Sequence, residues 1–223
     1  MIKIGTTSIS LICANDLHSD VKYLSDKADY FHFDIMNLDF SSCEGLNPKL
    51  LRMLKTVYST KLDVHIMALY PQNYVDLCIL NKADIITVHI ESVIDIDAFI
   101  KRTKAAGLMA GIAIAPKTPL SNVYKYLEKV DVVNVLTVNP GPSGQQFQEQ
   151  QLDKIGELKK LRNIYGFGYM IEVDGSCNAE HYLAMKNAGA DIFVVGASGL
   201  FLLSPDITVA WNHMLNYMIS YNL

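Results

Sequence analysis

The sequence predicts a single-domain α/β protein built as a (β/α)₈ TIM barrel over residues 1–223. Three observations favour this class: eight short apolar segments rich in Val and Ile, segments of helical period between them, and no proline- or glycine-rich linker along the chain. Apolar strands of this kind suit burial on both faces, as in parallel sheets. An open, doubly wound sheet is the alternative.

A recurring phrase locates several of the strands. Asp26-Lys-Ala-Asp29, Asn81-Lys-Ala-Asp84 and Asn187-Ala-Gly-Ala-Asp191 each precede an apolar run, as a helix end and a short polar turn do before a strand. Completing this pattern predicts strands near residues 3–13, 30–36, 62–67, 84–90, 109–115, 131–138, 169–174 and 191–196.

Helices are predicted in the gaps, near residues 17–27, 48–58, 72–82, 96–106, 120–129, 149–163 and 179–189, with one more at the end of the chain. The last is the clearest, because Ser204-Pro205-Asp206 offers an N-cap, a proline at the first helical position and a first-turn acid. One apolar stripe follows at helical spacing: Ile207, Ala210, Trp211, Met214, Leu215 and Met218.

Composition excludes several classes of function. The chain is 50% hydrophobic and carries 19 basic and 23 acidic residues, for a net charge of −4, without a basic cluster for nucleic acid or a membrane surface. Cys13, Cys43, Cys78 and Cys177 form no CxxC pair, which disfavours disulfides and a thiolate zinc site. No transmembrane segment or signal peptide is recognisable. We expect a cytoplasmic protein with a small-molecule partner.

Polar residues at predicted strand ends indicate a metal site. His32 and Asp34 end the second strand in "YFHFDIM", His65 ends the third and Asp174 the seventh. Ligands in a barrel lie at the carboxyl ends of the strands, so these four side chains are expected to meet at one rim. Two imidazoles and two carboxylates suit a divalent transition ion, with Zn²⁺ first and Fe²⁺, Mn²⁺ or Co²⁺ as alternatives.

Other polar residues have weaker indications. Asp63 and Glu172 share faces with His65 and Asp174 but lie one pleat repeat deeper, where they could orient the histidines. His89 ends the fourth strand and is either a substrate contact or a hydrogen-bonded structural residue. The histidines on helical segments are expected to be solvated or packed: His18, His181 and His213.

Glycine-containing loops follow the last strands. They are "VNPGPSGQQF" at residues 138–147, Gly175-Ser176, and "VGASGLF" at residues 195–201. Backbone amides after the seventh and eighth strands are the usual phosphate cradle in barrels. Beside a metal, they suggest a phosphorylated substrate.

These motifs resemble the ribulose-phosphate 3-epimerase family of pentulose and hexulose phosphate epimerases over nearly the whole chain. "HFDIM", "DVHIM", "TVNPG" with "GQ", and "EVDG" occur in the family's order. "EVDGSCN" at 172–178 and "VGASGLF" resemble the D-allulose 6-phosphate branch, because the pentulose branch typically reads "VDGG" and "GSA" there.

The resemblance implies roles for individual residues. It makes His32, Asp34, His65 and Asp174 metal ligands, with Asp34 and Asp174 also the pair that removes and returns the proton at C3. Further matches to substrate-contacting positions are Ser10, Met36, His65, Met67, Gly141, Pro142, Ser143, Gly144, Gly175, Ser176, Gly196, Ala197 and Ser198. It also implies a homodimer or larger homo-oligomer.

The chain departs from the family pattern at three places. Residues 37–43 read Asn-Leu-Asp-Phe-Ser-Ser-Cys instead of Asp-Gly-His-Phe-Val-Pro-Asn, residues 141–144 read Gly-Pro-Ser-Gly instead of Gly-Phe-Gly-Gly, and Leu136 replaces a methionine. The leading hypothesis is a metal-dependent D-allulose 6-phosphate 3-epimerase. The alternatives are a D-ribulose 5-phosphate 3-epimerase, a sugar-phosphate-binding homologue with impaired turnover, and a purely structural barrel.

Overall fold

The computed structural model describes residues 5–222 and shows eight parallel strands closed into a barrel. The strands are β1 (Thr6–Ser10), β2 (Tyr30–Met36), β3 (Lys61–Met67), β4 (Ile85–His89), β5 (Met109–Ile114), β6 (Val132–Leu136), β7 (Met170–Asp174) and β8 (Ile192–Val195). They follow chain order around the barrel, and β8 closes it by pairing with β1. The predicted (β/α)₈ barrel is confirmed, and the alternative of an open sheet is wrong.

Helices surround the barrel. They are α1 (Leu17–Leu24), α2 (Leu50–Val57), α3 (Gln72–Leu80), α4 (Ile96–Ala105), α5 (Gln151–Tyr165), α6 (Tyr182–Ala188) and α7 (Ile207–Ser220). Within residues 5–222, no helix has both the length and the apolar content that crossing a membrane requires.

Three predicted elements differ from the structure in length, kind or capping, while the ends of the others lie within three residues of their predicted positions. The first strand, predicted over 3–13, ends at Ser10 because Leu11–Cys13 turn into a 3₁₀ helix, and its residues 3 and 4 lie outside the described residues. Residues 120–129 contain a 3₁₀ helix over Leu120–Tyr126 rather than an α-helix. The N-cap of α7 is Asp206 and not Ser204, since the Asp206 carboxylate accepts hydrogen bonds from the amides of Thr208 and Val209.

Alternation along the strands separates two cores. Outward side chains of β2, such as Phe33, pack with the helices in one large apolar core, where full burial of such a ring stabilises the fold by about 1.5–3 kcal/mol. Inside the barrel, Tyr30, Ile85 and Val132 form a small separate apolar cluster. The buried polar side chains above it are Ser8, His32, Asp63, Thr87, Asn134 and Glu172. The barrel interior therefore becomes polar toward the carboxyl ends of the strands.

Candidate active site

The four residues predicted as metal ligands lie together at the carboxyl ends of β2, β3 and β7. Register pairs Asp34 with His65 on neighbouring strands. Asp34 Oδ1 lies 3.2 Å from His32 Nε2 and 3.6 Å from His65 Nδ1. Asp174 Oδ2 lies 3.7 Å from His32 Nε2 and 3.2 Å from His65 Nδ1. One ligand atom from each residue therefore faces a common point, all within 4.8 Å of one another.

The spacing and chemistry of these atoms fit a cation. A tetrahedral ion with bonds of about 2.1 Å separates its ligand atoms by about 3.4 Å, which is the middle of the observed range. His32 Nε2 and His65 Nδ1 are fully buried, and within residues 5–222 neither makes a hydrogen bond of good geometry, although each lies 3.2 Å from a carboxylate oxygen. Buried nitrogens without a partner are costly, and a bound cation would satisfy both.

The histidines and carboxylates of the cluster stabilise each other's charged forms. Burial alone would raise the pKa of Asp34 and of Asp174, but their contacts with His32 and His65 lower both pKa values below the usual range. Burial also opposes the charge on the imidazoles, yet the neighbouring carboxylates raise the pKa of His32 and of His65. Protons on the imidazoles thus stand in for the positive charge that a cation would bring.

The second nitrogen of His32 contacts a deeper carboxylate. His32 Nδ1 lies 2.7 Å from Asp63 Oδ2, which also accepts a hydrogen bond of 2.8 Å from the Ser8 hydroxyl. An ionised carboxylate only accepts, so it directs Nδ1–H inward and the Nε2 lone pair toward the common point. Burial and the charge of Asp63 raise the pKa of Glu172 well above its usual value. Asp63 has the orienting position that the sequence suggested.

The second nitrogen of His65 contacts a ring rather than a carboxylate. His65 Nε2 lies 3.0 Å from His89 Nε2, and His89 Nδ1 lies 2.9 Å from Glu91 Oε2. Both nitrogens of His89 therefore have hydrogen-bond partners, as the structural alternative for His89 expects. Burial raises the pKa of Glu91, but the hydrogen bond to His89 and the charge of His89 lower it more than burial raises it, so that the pKa is about 2. Sequence reasoning missed Glu91, although the spacing His89-x-Glu91 repeats that of His32-x-Asp34.

A cavity of about 280 Å³ opens above the cluster. Asp34 and Asp174 form part of its wall, and Asp34 Oδ2 accepts a hydrogen bond of 3.0 Å from Ser10 Oγ. The residues predicted to contact substrate line it, apart from His65: Ser10, Met36, Met67, Gly141, Pro142, Ser143, Gly144, Gly175, Ser176, Gly196, Ala197 and Ser198. The sequence reasoning missed other lining residues, among them Ile12, Cys13, Cys43, Asn139 and Gln145.

The loops after β6, β7 and β8 approach one another closely over this cavity. Gly175 has a φ of +113°, and a Cβ there would lie 2.7 Å from the Val138 side chain. Ser176 adopts a φ of 50°, uncommon for a residue other than glycine, and donates a hydrogen bond of 2.6 Å to the Gln145 carbonyl oxygen. The Ser198 hydroxyl accepts a hydrogen bond of 3.1 Å from Asn178 Nδ2. These contacts hold the loops together around the cavity.

Side chains of the loop at residues 37–43 contact both the His89 ring and the cavity. The Phe40 ring lies 4.7 Å from the His89 ring, centre to centre, and covers that side of the histidine pair. Cys43 lines the cavity, and its Sγ lies 3.9 Å from Met36 Sδ. The segment that follows is held to β2, because the Leu46 amide donates to the Asp34 carbonyl oxygen at 2.8 Å.

Comparison with known proteins identifies a family. Residues 6–201 match the model of the "Ribulose-phosphate 3 epimerase family". The chain is 34% identical to the ribulose-phosphate 3-epimerase of Escherichia coli K12 over 178 residues, covering 79% of each protein. It is 33% identical to that of Treponema pallidum over 77% of this chain and 78% of the relative, and 32% identical to that of Bacillus subtilis over 89% and 92%.

Solved structures support the architecture alone. Phosphoribosyl anthranilate isomerase from Thermococcus kodakaraensis is similar over 98% of both chains, with a TM-score of 0.66 and 12% sequence identity. A tryptophan synthase α-subunit from Pyrococcus furiosus is similar over 98% of both chains, with a TM-score of 0.67 and 15% identity. Identities this low carry the barrel fold and no shared chemistry.

Proposed function

The chain belongs to the ribulose-phosphate 3-epimerase family of isomerases, and from this premise we propose that it inverts C3 of a phosphorylated ketose at the mouth of its barrel. The observation that carries the proposal is the convergence of two buried imidazole nitrogens with two carboxylates that line one cavity; in the described part of the chain neither nitrogen makes a well-formed hydrogen bond.

His32, Asp34, His65 and Asp174 would hold one divalent ion, with Zn²⁺ as the first candidate and Fe²⁺, Mn²⁺ or Co²⁺ as alternatives. When bound, the ion supplies positive charge that stabilises the negative charge developing on substrate oxygens. Asp63 keeps His32 in the tautomer that leaves its Nε2 lone pair free.

Asp34 and Asp174 are the proposed acid and base. Inverting a carbon beside a ketone requires removal of its proton from one face and return of a proton on the other, which two carboxylates on opposite sides of the sugar can perform. We assign the first removal to Asp34, whose second oxygen is fixed by Ser10, and the return to Asp174, with the roles exchanged in the reverse direction.

The phosphate is proposed to bind at the loops after β6, β7 and β8. Residues 141–144, 175–176 and 196–198 line the side of the cavity formed by these loops. Such loops at the carboxyl ends of barrel strands are common phosphate cradles. Met36 and Met67 supply apolar wall on the opposite strands.

Two substrates remain candidates. Ser176 and the "VGASGLF" segment favour D-allulose 6-phosphate, converted to D-fructose 6-phosphate, because the pentulose branch has glycine at the first position and "GSA" in the second segment. The names of the relatives, which specify ribulose phosphate and in one case ribulose 5-phosphate, favour D-ribulose 5-phosphate, converted to D-xylulose 5-phosphate. A cytoplasmic location and a homo-oligomeric state stay predictions.

A solvent-deuterium exchange assay across ketose phosphates tests the function. The metal-loaded enzyme should catalyse incorporation of solvent deuterium at C3 of the ketose phosphate. Comparison of kcat/KM on the hexulose and pentulose phosphates then decides between the two substrates. A higher kcat/KM on the pentulose phosphate overturns the allulose assignment. Metal binding without exchange on any ketose phosphate favours the binding homologue, and elemental analysis that finds no bound divalent metal favours the structural barrel.

A further inference from the structure

A chain of hydrogen bonds joins a candidate metal ligand to a carboxylate outside the cluster. His65 and His89 are both 0% exposed, and their rings are nearly parallel, at 22°, with centroids 5.0 Å apart. This arrangement suits a bond along the ring plane between the two Nε2 atoms, which are 3.0 Å apart. Glu91 ends the chain and uses both oxygens: Oε2 lies 2.9 Å from His89 Nδ1, and Oε1 accepts a 2.9 Å hydrogen bond from the Ala115 amide.

Counting protons along this chain leaves one arrangement for neutral rings. A carboxylate can only accept, so His89 carries its proton on Nδ1 and presents a lone pair at Nε2. That lone pair requires a proton on His65 Nε2, which leaves the lone pair of His65 on Nδ1, the atom that faces Asp34 and Asp174. The position of one carboxylate thus decides the tautomer of a ring that it does not touch.

We propose that Glu91 is a positioning residue that acts through His89 to keep the Nδ1 lone pair of His65 directed at the cation site. The inference rests on the proposed function, because it takes the four-residue cluster as the site of a divalent ion. Phe40 packs against His89, and both imidazoles of the relay are 0% exposed, so their hydrogen-bond partners are protein groups.

The variant Glu91→Gln changes the tautomer with almost no change of shape. An amide has one accepting oxygen, while the Ala115 amide and His89 Nδ1–H both need an acceptor. The Ala115 amide cannot reverse its role, but His89 can move its proton to Nε2. His65 would then carry its own proton on Nδ1 and lose the lone pair for the cation.

The test measures Zn²⁺ dissociation constants by competition with a chromophoric chelator. Glu91→Gln should weaken Zn²⁺ binding by about 10–100-fold, as loss of such partners commonly does. Asp131→Asn is the matched control, because Asp131 Oδ2 also accepts from a strand amide, that of Ala110, at 2.9 Å. Its side chain is 31% exposed, against 24% for Glu91, and it should leave Zn²⁺ affinity unchanged. Equal affinity of Glu91→Gln and wild type overturns the proposal.

A measurement on the wild type covers the case in which Glu91→Gln does not fold. In the zinc-loaded protein labelled with ¹⁵N-histidine, long-range ¹H–¹⁵N spectra should show His89 protonated at Nδ1 and unprotonated at Nε2. A proton on His89 Nε2 contradicts the relay. If the wild type binds none of Zn²⁺, Fe²⁺, Mn²⁺ and Co²⁺, the proposed function itself falls, whereas Zn²⁺ binding that Glu91→Gln leaves intact removes only this inference.

Discussion

Gly45→Ala tests whether the segment after the loop at 37–43 positions the end of β2. The Gly45 and Leu46 amides donate to the Met36 and Asp34 carbonyl oxygens at 3.2 and 2.8 Å. A Cβ at residue 45 would lie 2.4 Å from both Asp34 O and Met36 N, where ordinary contact begins at 3.4 Å. The added methyl group therefore requires a displacement of about 1 Å between two backbone segments, at the residue that carries a proposed catalytic carboxylate.

We expect Gly45→Ala to lower the free energy of unfolding by about 2–6 kcal/mol. Overpacking costs about 1–3 kcal/mol, and weakening two backbone hydrogen bonds adds about 0.5–1.5 kcal/mol each at most. Gly45 does not have a positive φ, so no left-handed backbone strain adds to the clash. Urea denaturation at constant m value measures the change, and kcat should fall as Asp34 moves.

Gly156→Ala is the control for that experiment. Gly156 lies within α5, and a Cβ there would have no atom of residues 5–222 within 4 Å apart from the backbone of its own helix. Alanine should raise the free energy of unfolding by about 0.5–1 kcal/mol through helix propensity. If Gly45→Ala stays within about 0.5 kcal/mol of wild type, the close approach does not constrain the site and the reasoning is refuted.

Three further predictions concern the cluster itself. Asp34→Asn and Asp174→Asn should each slow C3 deuterium exchange by about 10²–10⁴-fold. The circular dichroism spectrum of each variant should stay unchanged. Exchange at the wild-type rate in either variant would show that its carboxylate is neither the acid nor the base. Asp63→Asn should weaken Zn²⁺ binding about 10–100-fold in equilibrium dialysis, because His32 loses the group that sets its tautomer, and unchanged affinity contradicts this orientation. Zn²⁺ affinity should rise with pH above 6.5, because the raised pKa values of His32 and His65 let protons compete with the ion. Calorimetry in buffers of different ionisation enthalpy should detect the protons released on Zn²⁺ binding. An affinity that does not change with pH would contradict this prediction.

The same pKa shifts predict the direction in which stability changes with pH. A histidine whose pKa is raised on folding contributes stability that is fully present below its unfolded value of about 6.5 and is lost as pH rises through the folded pKa. The metal-free protein should therefore melt at lower temperature as pH rises above 6.5 through the raised pKa values of His32 and His65. Added Zn²⁺ should reduce this loss, because it replaces the protons.

Local patterns in the sequence were sufficient for the barrel and for the four-residue cluster. Two-residue spacing on a strand puts His32 and Asp34 on one face whatever the rest of the chain does, and strand ends in a barrel share one rim. The ends of elements were less predictable. Ser204 and Asp206 are both good caps, and only the backbone path into α7 selects Asp206.

Contacts between distant segments depended on the tertiary structure. Asp63 reaches His32 rather than His65 because the register of β2 against β3 places Asp63 beside His32. The amide of Ala115, which follows β5, fixes the second oxygen of Glu91, and the approach of residue 45 to Asp34 depends on the path of a loop. Sequence patterns determine which face a side chain takes, since that follows from backbone period. Which atom it meets there depends on register and loop path, which only packing of the whole chain decides.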